Sequence, residues 1–242
     1  MDDRKIFLEN LSGAMDGDGI CMYNVGICYQ YGKGVNADID KAIEWFEESA
    51  KYGYGTAIVL VGGIFGGCQG FVLQSGIDHS RFYNLPKYIK YIEMGYDIGI
   101  PISVYYMGHI HRQGLGNYDI NMKLAANCWL DVISGVDYEE AYNTEKEDDT
   151  VFGLYGKLST TYAVISSYRD LGTAFFRGGY GLPKILDNAI YYWGKAANLG
   201  SVIAADKLIS LYSDGEELPI DEAKVDYWWN IRSEKGKYYG LM

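Results

Sequence analysis

The chain contains three histidines, His79, His109 and His111, which are the side chains best suited to metal binding or acid–base chemistry. His109 and His111 are two positions apart, so on a helix they point about 200° away from each other and cannot bind one metal from a single face. Three histidines are also too few to form most histidine-based centres alone. We predict no metal site and no cofactor, with His111 packed as a ring and His109 on a solvated surface.

The four cysteines also offer little chemistry. They lack the C-x-x-C spacing of zinc sites and the density of a disulfide framework. Cys21 and Cys28 would share a helix face about 10 Å apart, which exceeds disulfide reach. No G-x-S-x-G, H-E-x-x-H or Walker motif is present. We predict a protein that is not an enzyme, in which the cysteines are small buried hydrophobic residues: Cys21, Cys28, Cys68 and Cys128.

Charge and composition restrict the partners. There are 21 Lys and Arg against 32 Asp and Glu, and the net charge of -11 repels nucleic-acid backbones but suits a basic protein. A hydrophobic content of 48% is sufficient for a large core. The first residues, MDDRKIFLENLSG, are acidic where a signal peptide needs positive charge, and their apolar segment is too short. We predict a folded cytoplasmic protein that does not bind nucleic acid.

The stretch GYGTAIVLVGGIFGG at residues 53 to 67 has three possible interpretations: a membrane span, a phosphate-binding loop, or one helix of a repeat. A span needs about 20 apolar residues, and the many glycines here give little lipid-facing bulk. A nucleotide-binding loop must follow a strand, whereas the preceding DKAIEWFEESAKY has a helical pattern. The repeat interpretation is therefore favoured, and no membrane contact is predicted.

Regularly spaced glycines divide the chain into repeats. The successive intervals are 36, 46, 36, 65 and 36 residues, and the two longer ones equal the same period with insertions of 10 and 29. The glycines are Gly17, Gly53, Gly99, Gly135, Gly200 and Gly236. We predict one domain over 1–242, with a capping helix at 1–16 and insertions near 68–80 and 136–160. The repeats would cover approximately 17–52, 53–98, 99–134, 135–199 and 200–236.

Each repeat contains the same succession of residue types. An apolar residue precedes a glycine that would let a neighbouring helix approach closely, and a ring follows three positions later. The second helix would begin near Asp38 or Pro86. The apolar residues and their followers are Val25-Gly26, Val61-Gly62, Met107-Gly108, Leu171-Gly172 and Leu208-Ile209, and the rings are Tyr29, Phe65, His111, Phe175 and Tyr212.

This pattern resembles the Sel1-like repeat, a branch of the tetratricopeptide-type helical solenoids. The resemblance is carried by YNVGICYQYGKGVNADIDKAIEWFEESAKYG at residues 23 to 53 and by NAIYYWGKAANLG at residues 188 to 200. It implies an all-α fold, a right-handed α/α solenoid of about five helix-pair repeats with capping helices. Three departures stand out: His111 at a ring position, Trp129 two positions late, and no G-x-G turn in repeat two.

The resemblance also implies a concave groove, lined by the first helix of each pair, that binds a peptide or a protein surface. Tyr and Arg, which often carry interface energy, recur at the positions expected to face this groove. Some of the rings, Tyr23 and Tyr105 especially, could instead pack between adjacent first helices. The predicted partner-binding residues are Ile20, Tyr23, Ile27, Gln30, Tyr31, Tyr105, His109, Arg112, Arg169, Phe176, Arg177, Asp206 and Asp214.

The leading functional hypothesis is a non-enzymatic protein-interaction module, acting as a bacterial adaptor or as an immunity protein that neutralises a basic toxin. The alternative is a hydrolase of β-lactams or peptidoglycan fragments, as in cysteine-rich relatives of the repeat family, although the paired cysteines of that branch are absent here. A third alternative is a membrane-linked scaffold that uses residues 53–73. The acidic insertion at 139–149 is interpreted as a solvated loop or as an attraction for a basic partner.

Overall fold

The computed structural model describes residues 2–67, 79–147 and 159–236, and within these ranges the secondary structure is helical, without a β-strand. The prediction of an all-α fold is confirmed. The described helices are α1 (Asp3–Met15), α2 (Gly19–Tyr31), α3 (Ile39–Lys51), α4 (Gly55–Phe65), α5 (Leu85–Asp97), α6 (Pro101–Gln113), α7 (Met122–Gly135), α8 (Tyr138–Glu147), α9 (Thr160–Arg177), α10 (Leu186–Asn198), α11 (Val202–Ser213) and α12 (Glu222–Lys235), with a short 3-10 turn at His79–Phe82 before α5.

Most helices form consecutive pairs. The first helices are α2, α4, α6, α9 and α11, and the second helices are α3, α5, α7, α10 and α12. The chain divides into two compact units with the boundary inside α6, between Ser103 and Val104. In the N-terminal unit α1 packs on α2, α3 packs on α2 and α4, and α5 packs on α4. In the C-terminal unit α9 contacts α7, α8 and α10, and α12 contacts α10 and α11.

Four of the periodic glycines have the same structural role. Gly17, Gly53, Gly99 and Gly200 each follow a helix and precede a first helix, with φ between 76° and 100°. This left-handed backbone ends one helix and redirects the chain into the next. The two other glycines differ: Gly135 is the last residue of α7, and Gly236 follows α12 with φ -64°.

Three glycines inside first helices mark a close approach between paired helices. A Cβ atom on Gly26 would lie 2.4 Å from the ring of Phe46, and a Cβ on Gly172 would lie 2.4 Å from that of Trp193. Gly108 is equally close to Trp129, which therefore occupies the usual ring position despite its displaced sequence position. The preceding apolar residues are all buried: Val25, Val61, Met107, Leu171 and Leu208.

The uncharged stretch at 53–67 forms α4, which packs between α3 and α5 with every residue from Ala57 to Phe65 buried. Its first residue, Gly55, corresponds to Gly19 at the start of α2, as the period predicts. Among the described residues, no helix combines the length and the apolar character that a bilayer span requires. Residues 68–73 lie outside the described ranges.

Side-chain caps fix the starts of the second helices α3, α5, α7 and α12. Asp38 Oδ1 accepts a hydrogen bond from the Lys41 amide at 3.1 Å, and Asn84 Oδ1 accepts one from the Lys87 amide at 3.0 Å. Each cap satisfies an amide that the first helical turn leaves without a partner. The predicted starts near Asp38 and Pro86 are therefore correct, since α3 begins one residue after Asp38 and Pro86 lies in the first turn of α5.

The cysteines of the described ranges are free thiols. Cys28 and Cys128 are buried, and Cys21 is half-buried. Burial raises the pKa of the Cys128 thiol to about 11, so the thiol stays protonated and unreactive. Cys68 lies outside the described residues.

Candidate functional site

The predicted groove residues of the N-terminal unit all lie on α2 but differ in exposure. Ile20 and Tyr31 are exposed and Ile27 is half-buried, whereas Tyr23 and Gln30 are buried. The Tyr23 ring packs against the rings of Phe46 and Tyr54, with both centroid distances at 5.4 Å. Tyr23 therefore packs between helices, as the alternative interpretation of these rings allowed, and Ile20, Ile27 and Tyr31 remain the predicted contact residues.

In the C-terminal unit, α6 and α9 bring three of the predicted residues together around a residue that the sequence analysis did not select. Asp170, on α9, is only 6% exposed. Arg169 donates to both of its carboxylate oxygens, from Nε at 3.0 Å and from a terminal nitrogen at 3.1 Å. The Tyr105 hydroxyl of α6 donates to Asp170 Oδ2 at 3.0 Å and accepts a hydrogen bond from Arg169 at 3.0 Å.

His109 completes this cluster from α6. Its Nε2 lies 3.1 Å from Asp170 Oδ2, although it is not aligned as a hydrogen bond, and its ring packs on the rings of Tyr105 and Trp129. The side chain is only 15% exposed. The prediction of His109 on a solvated surface is therefore corrected, because the Asp170 carboxylate and two rings enclose it. We call Tyr105, His109, Arg169 and Asp170 the ionic cluster.

The ionic cluster favours a charged carboxylate. Burial alone would raise the pKa of Asp170, but the contact with His109 and the charge of Arg169 outweigh it and hold this pKa well below its usual range. Burial, and then the charge of Asp170, raise the pKa of the Tyr105 hydroxyl well above its ordinary value. The phenol therefore stays protonated and donates to a carboxylate that is ionised at neutral pH.

This arrangement is suited to holding side chains in place rather than to proton transfer. Both Asp170 oxygens already accept hydrogen bonds, and a carboxylate with so low a pKa is a poor base at neutral pH. Within the described ranges, no three His, Cys, Asp or Glu side chains converge as a metal site would require. His111 packs separately against Tyr118, with ring centroids 5.1 Å apart.

A partly accessible surface continues from the ionic cluster along α9. Thr173 Oγ1 donates to the Arg169 carbonyl at 3.0 Å and accepts a hydrogen bond from Trp193 Nε1 at 3.3 Å. The Trp193 ring then packs against Phe176, with centroids 5.2 Å apart. Arg177, at the end of α9, is exposed. We define Arg169, Thr173, Phe176, Arg177 and Lys207 as the α9–α11 surface.

Lys207, on α11, is the second residue that the sequence analysis missed. It is half-buried, with Nζ 5.5 Å from the centre of the Trp193 ring. Lys207 immediately precedes Leu208, as Asp170 immediately precedes Leu171. A charged residue directly before the buried apolar residue of a first helix is the signal that could have identified Asp170 and Lys207. The positions assigned to the groove by analogy do not include this one.

The remaining predicted residues lie elsewhere. Arg112 is half-buried near the end of α6. Asp206 pairs with Arg232 of α12 at 2.5 Å, so its charge is already used within the chain. Asp214 caps the turn after α11, where its Oδ1 accepts a hydrogen bond from the Glu216 amide at 3.0 Å. The aspartates at the C-terminal end of the predicted groove thus have internal partners.

Comparison with known proteins identifies the repeats. A sequence model of the Sel1 repeat matches residues 19–54, 101–130 and 165–201, which contain parts of the α2–α3, α6–α7 and α9–α10 pairs. No curated protein matches the chain in sequence. A solved Sel1 repeat protein from Oxalobacter formigenes has 19% sequence identity and a TM-score of 0.59, over 96% of this chain and 80% of that one.

Two further solved structures are similar at lower scores. The immunity protein Pa5087 from Pseudomonas aeruginosa has 12% identity and a TM-score of 0.45, over 97% of this chain and 75% of that one. The protective antigen c5321 of uropathogenic Escherichia coli has 19% identity and a TM-score of 0.45, over 99% of this chain and 54% of that one. The fold match to the Oxalobacter protein agrees with the three repeat matches. The chain therefore contains three Sel1 repeats.

Proposed function

We propose that the chain is a non-enzymatic protein-interaction module that holds a peptide or protein partner on the α9–α11 surface. Sel1 repeats generally mediate protein–protein interactions. The observation that carries the proposal is the ionic cluster, whose four side chains fix Arg169 on α9, and the hydrogen bonds through Thr173 that link Arg169 to Trp193.

Rigid side chains favour binding because less conformational entropy is lost when a partner docks. Arg and aromatic residues are also the types that most often carry interface energy. Phe176 and Arg177 lie at the end of α9, in contact with or next to side chains that the cluster orders. This surface therefore combines rigidly held side chains with accessible ones that a partner can contact.

The charge of the whole chain supports a narrower form of the proposal. A net charge of -11 attracts a basic protein at long range and accelerates encounter. A bacterial immunity protein that neutralises a basic toxin in the cytoplasm fits this charge, and a general adaptor is the broader form. Ile20, Ile27 and Tyr31 on α2 and Arg112 on α6 would then be additional contact residues.

The proposal is tested by site-specific photo-crosslinking in the native host. A photoreactive phenylalanine analogue replaces Arg177 on the α9–α11 surface or, as the matched control, Tyr191, which is exposed on the second helix α10 of the same unit. We expect one defined protein to crosslink at position 177 and not at 191. Equal crosslinking at both positions, or none at position 177, would show that the α9–α11 surface is not the main contact.

A further inference from the structure

We propose that the α9–α11 surface contains a site for an acidic side chain of the partner, formed by Lys207 and Arg177 beside the Phe176 and Trp193 rings. This inference rests on the proposed function and adds the chemistry of one contact. Although the chain as a whole is acidic, this part of its surface is cationic, so a partner that is basic overall would place one of its carboxylates here.

Asp170 and Lys207 occupy the same position in successive first helices, one residue before the buried Leu171 and Leu208. Asp170 meets cationic and hydroxyl donors in the ionic cluster. At this position α11 has an amine where α9 has a carboxylate. The charges of Arg169 and Arg177 on α9 act on the Lys207 amine.

Lys207 and Arg177 have no ion-pair partner among the described residues, 2–67, 79–147 and 159–236. Nearby cations differ, because Lys184 pairs with Glu217 and Lys224 pairs with Asp221. Asp170 is already paired with Arg169, and Arg177 and Lys207 have no such ion pair, so this part of the surface keeps an excess of positive charge in a chain whose net charge is -11.

The state of the Lys207 amine agrees with this imbalance. Burial lowers the pKa of Lys207, and the charges of Arg177 and then Arg169 lower it further, while the charge of Asp170 acts in the opposite direction. The amine is therefore both partly desolvated and repelled by its neighbours. A carboxylate placed between Lys207 and Arg177 would relieve this repulsion and form charge-assisted hydrogen bonds.

Aromatic rings next to Lys207 give the site an apolar part. Trp193 and Phe176 pack against each other, Lys207 Nζ lies over the Trp193 ring, and Arg177 directly follows Phe176 at the end of α9. Trp193 is only 2% exposed, so the half-buried Phe176 is the ring that a ligand can reach. Such a mixed site suits an acidic side chain, since its methylene groups can contact the Phe176 ring while its carboxylate meets the cations. The site therefore fits a glutamate or an aspartate presented by a protein segment.

The test uses a tetraglutamate peptide, with a tetraglutamine peptide as the uncharged probe. The indole N–H signal of Trp193 reports on the site by NMR, and that of Trp45 on α3 serves as an internal reference. Lys207→Met removes the amine while retaining most of the side-chain length. Lys195→Met is the matched control, because Lys195 lies 5.6 Å above the Tyr191 ring on α10, where it makes the same type of contact.

We expect tetraglutamate, and not tetraglutamine, to shift the Trp193 signal, with the Trp45 signal unchanged. Lys207→Met and Arg177→Gln should each weaken binding about ten-fold, as expected for the loss of a hydrogen bond to a charged group, whereas Lys195→Met should leave it unchanged. Equal shifts with both peptides, no shift with either, or undiminished binding by Lys207→Met would overturn the acidic-ligand site.

The two proposals fail in different ways. If a partner crosslinks at position 177 but tetraglutamate does not bind, the interaction surface stands and its acidic-ligand site is wrong. If tetraglutamate binds as expected but no partner crosslinks preferentially at position 177, the proposed function is wrong.

Discussion

The first helices α4 and α9 have side chains of opposite character at one equivalent position. In α4 the residue before the buried Val61 is Leu60, 4% exposed, and in α9 the residue before the buried Leu171 is Asp170, 6% exposed. Leu60 lies in a helix whose residues from Ala57 onward are apolar. Asp170 is ionised and surrounded by Arg169, Tyr105 and His109. The repeat therefore tolerates either a hydrocarbon or a charge at this position.

This difference indicates which unit carries the more specialised surface. A buried ion pair adds little stability relative to apolar residues of the same volume, because its charges must be desolvated. Since α4 shows that the repeat can pack with leucine at this position, the fold alone does not require the ionic cluster. The cluster is better explained by the side chains it orders, which is why the proposed contacts lie in the C-terminal unit.

The two units also differ in the charge they present. In the N-terminal unit, an open depression of about 550 Å³ is lined by Glu44, Trp45, Glu47, Glu48, Lys51 and Lys87. Lys51 pairs with Glu48 and Lys87 with Glu47, so Glu44 leaves this depression with a slight excess of negative charge. In the C-terminal unit, Lys207 and Arg177 make the α9–α11 surface cationic. Repeats of one architecture thus provide surfaces of opposite sign.

The largest expected effect comes from removing the buried carboxylate. Asp170→Leu gives α9 the residue type found at Leu60 but leaves the Arg169 guanidinium, whose side chain is only 18% exposed, without its partner, which should cost about 3–5 kcal/mol of unfolding free energy. Arg169→Met in the same chain should recover most of this loss, because no buried charge then remains unpaired. Urea unfolding followed by tryptophan fluorescence measures both variants.

Two results would contradict the comparison. If Asp170→Leu alone were as stable as the wild type, the ion pair would not be effectively buried. If the double variant were no more stable than the single one, the loss would arise from packing around residue 170 rather than from the unpaired guanidinium.

A smaller loss of stability is expected when one tyrosine of each unit loses its hydroxyl group, and the two losses should differ. The Tyr105 hydroxyl bonds Asp170 and Arg169, and the Tyr91 hydroxyl donates to Glu47 Oε1 at 2.9 Å. Tyr105→Phe should cost about 1.5–3 kcal/mol, because it removes bonds to two buried charges, and Tyr91→Phe about 0.5–1.5 kcal/mol. Chemical denaturation compares them, and a greater loss for Tyr91→Phe would invalidate this ranking of the two sites.

The glycine-to-ring contact should matter equally in both units. Gly26→Ala and Gly172→Ala each place a methyl group 2.4 Å from a ring and should destabilise the protein by about 1–3 kcal/mol. Gly135→Ala is the control, since a Cβ there meets no atom within 4 Å. Its thermal midpoint should stay close to that of the wild type. A cost in only one unit would mean that the other relaxes around the added methyl group.

The fold could be predicted from the sequence because its determinants are local and periodic. Gly53, Gly99 and Gly200 recur where the chain must take positive φ, and Gly26 and Gly172 recur where a ring must approach a helix. Such requirements depend on the backbone and persist when other side chains vary. Gly135 was assigned to the same series, but α8 follows α7 at that point and no left-handed turn is formed.

The candidate site could be predicted only in part. Counting along a helix selected Arg169, Tyr105 and His109, but it could not show that all three converge on Asp170, since that contact joins helices 65 positions apart in the chain. Nor could it separate the buried Tyr23 from the exposed Ile20. Exposure within the first-helix face depends on which neighbouring helix covers each side chain, and that information is not periodic.

The smallest predicted effect concerns pH. Because the pKa of Asp170 is lowered in the folded state, its charge contributes stability that is present above its unfolded pKa of about 4 and is lost as pH falls toward the folded value. Lowering the pH from 5 to 3 should therefore cost the wild type roughly 1 kcal/mol more than the Asp170→Leu, Arg169→Met double variant. Urea midpoints at the two pH values measure the difference, and the other carboxylates cancel because both chains share them. An identical loss in both chains would mean that the Asp170 carboxyl titrates normally in the folded protein, so that the ionic cluster would be no more specialised than its leucine counterpart in α4.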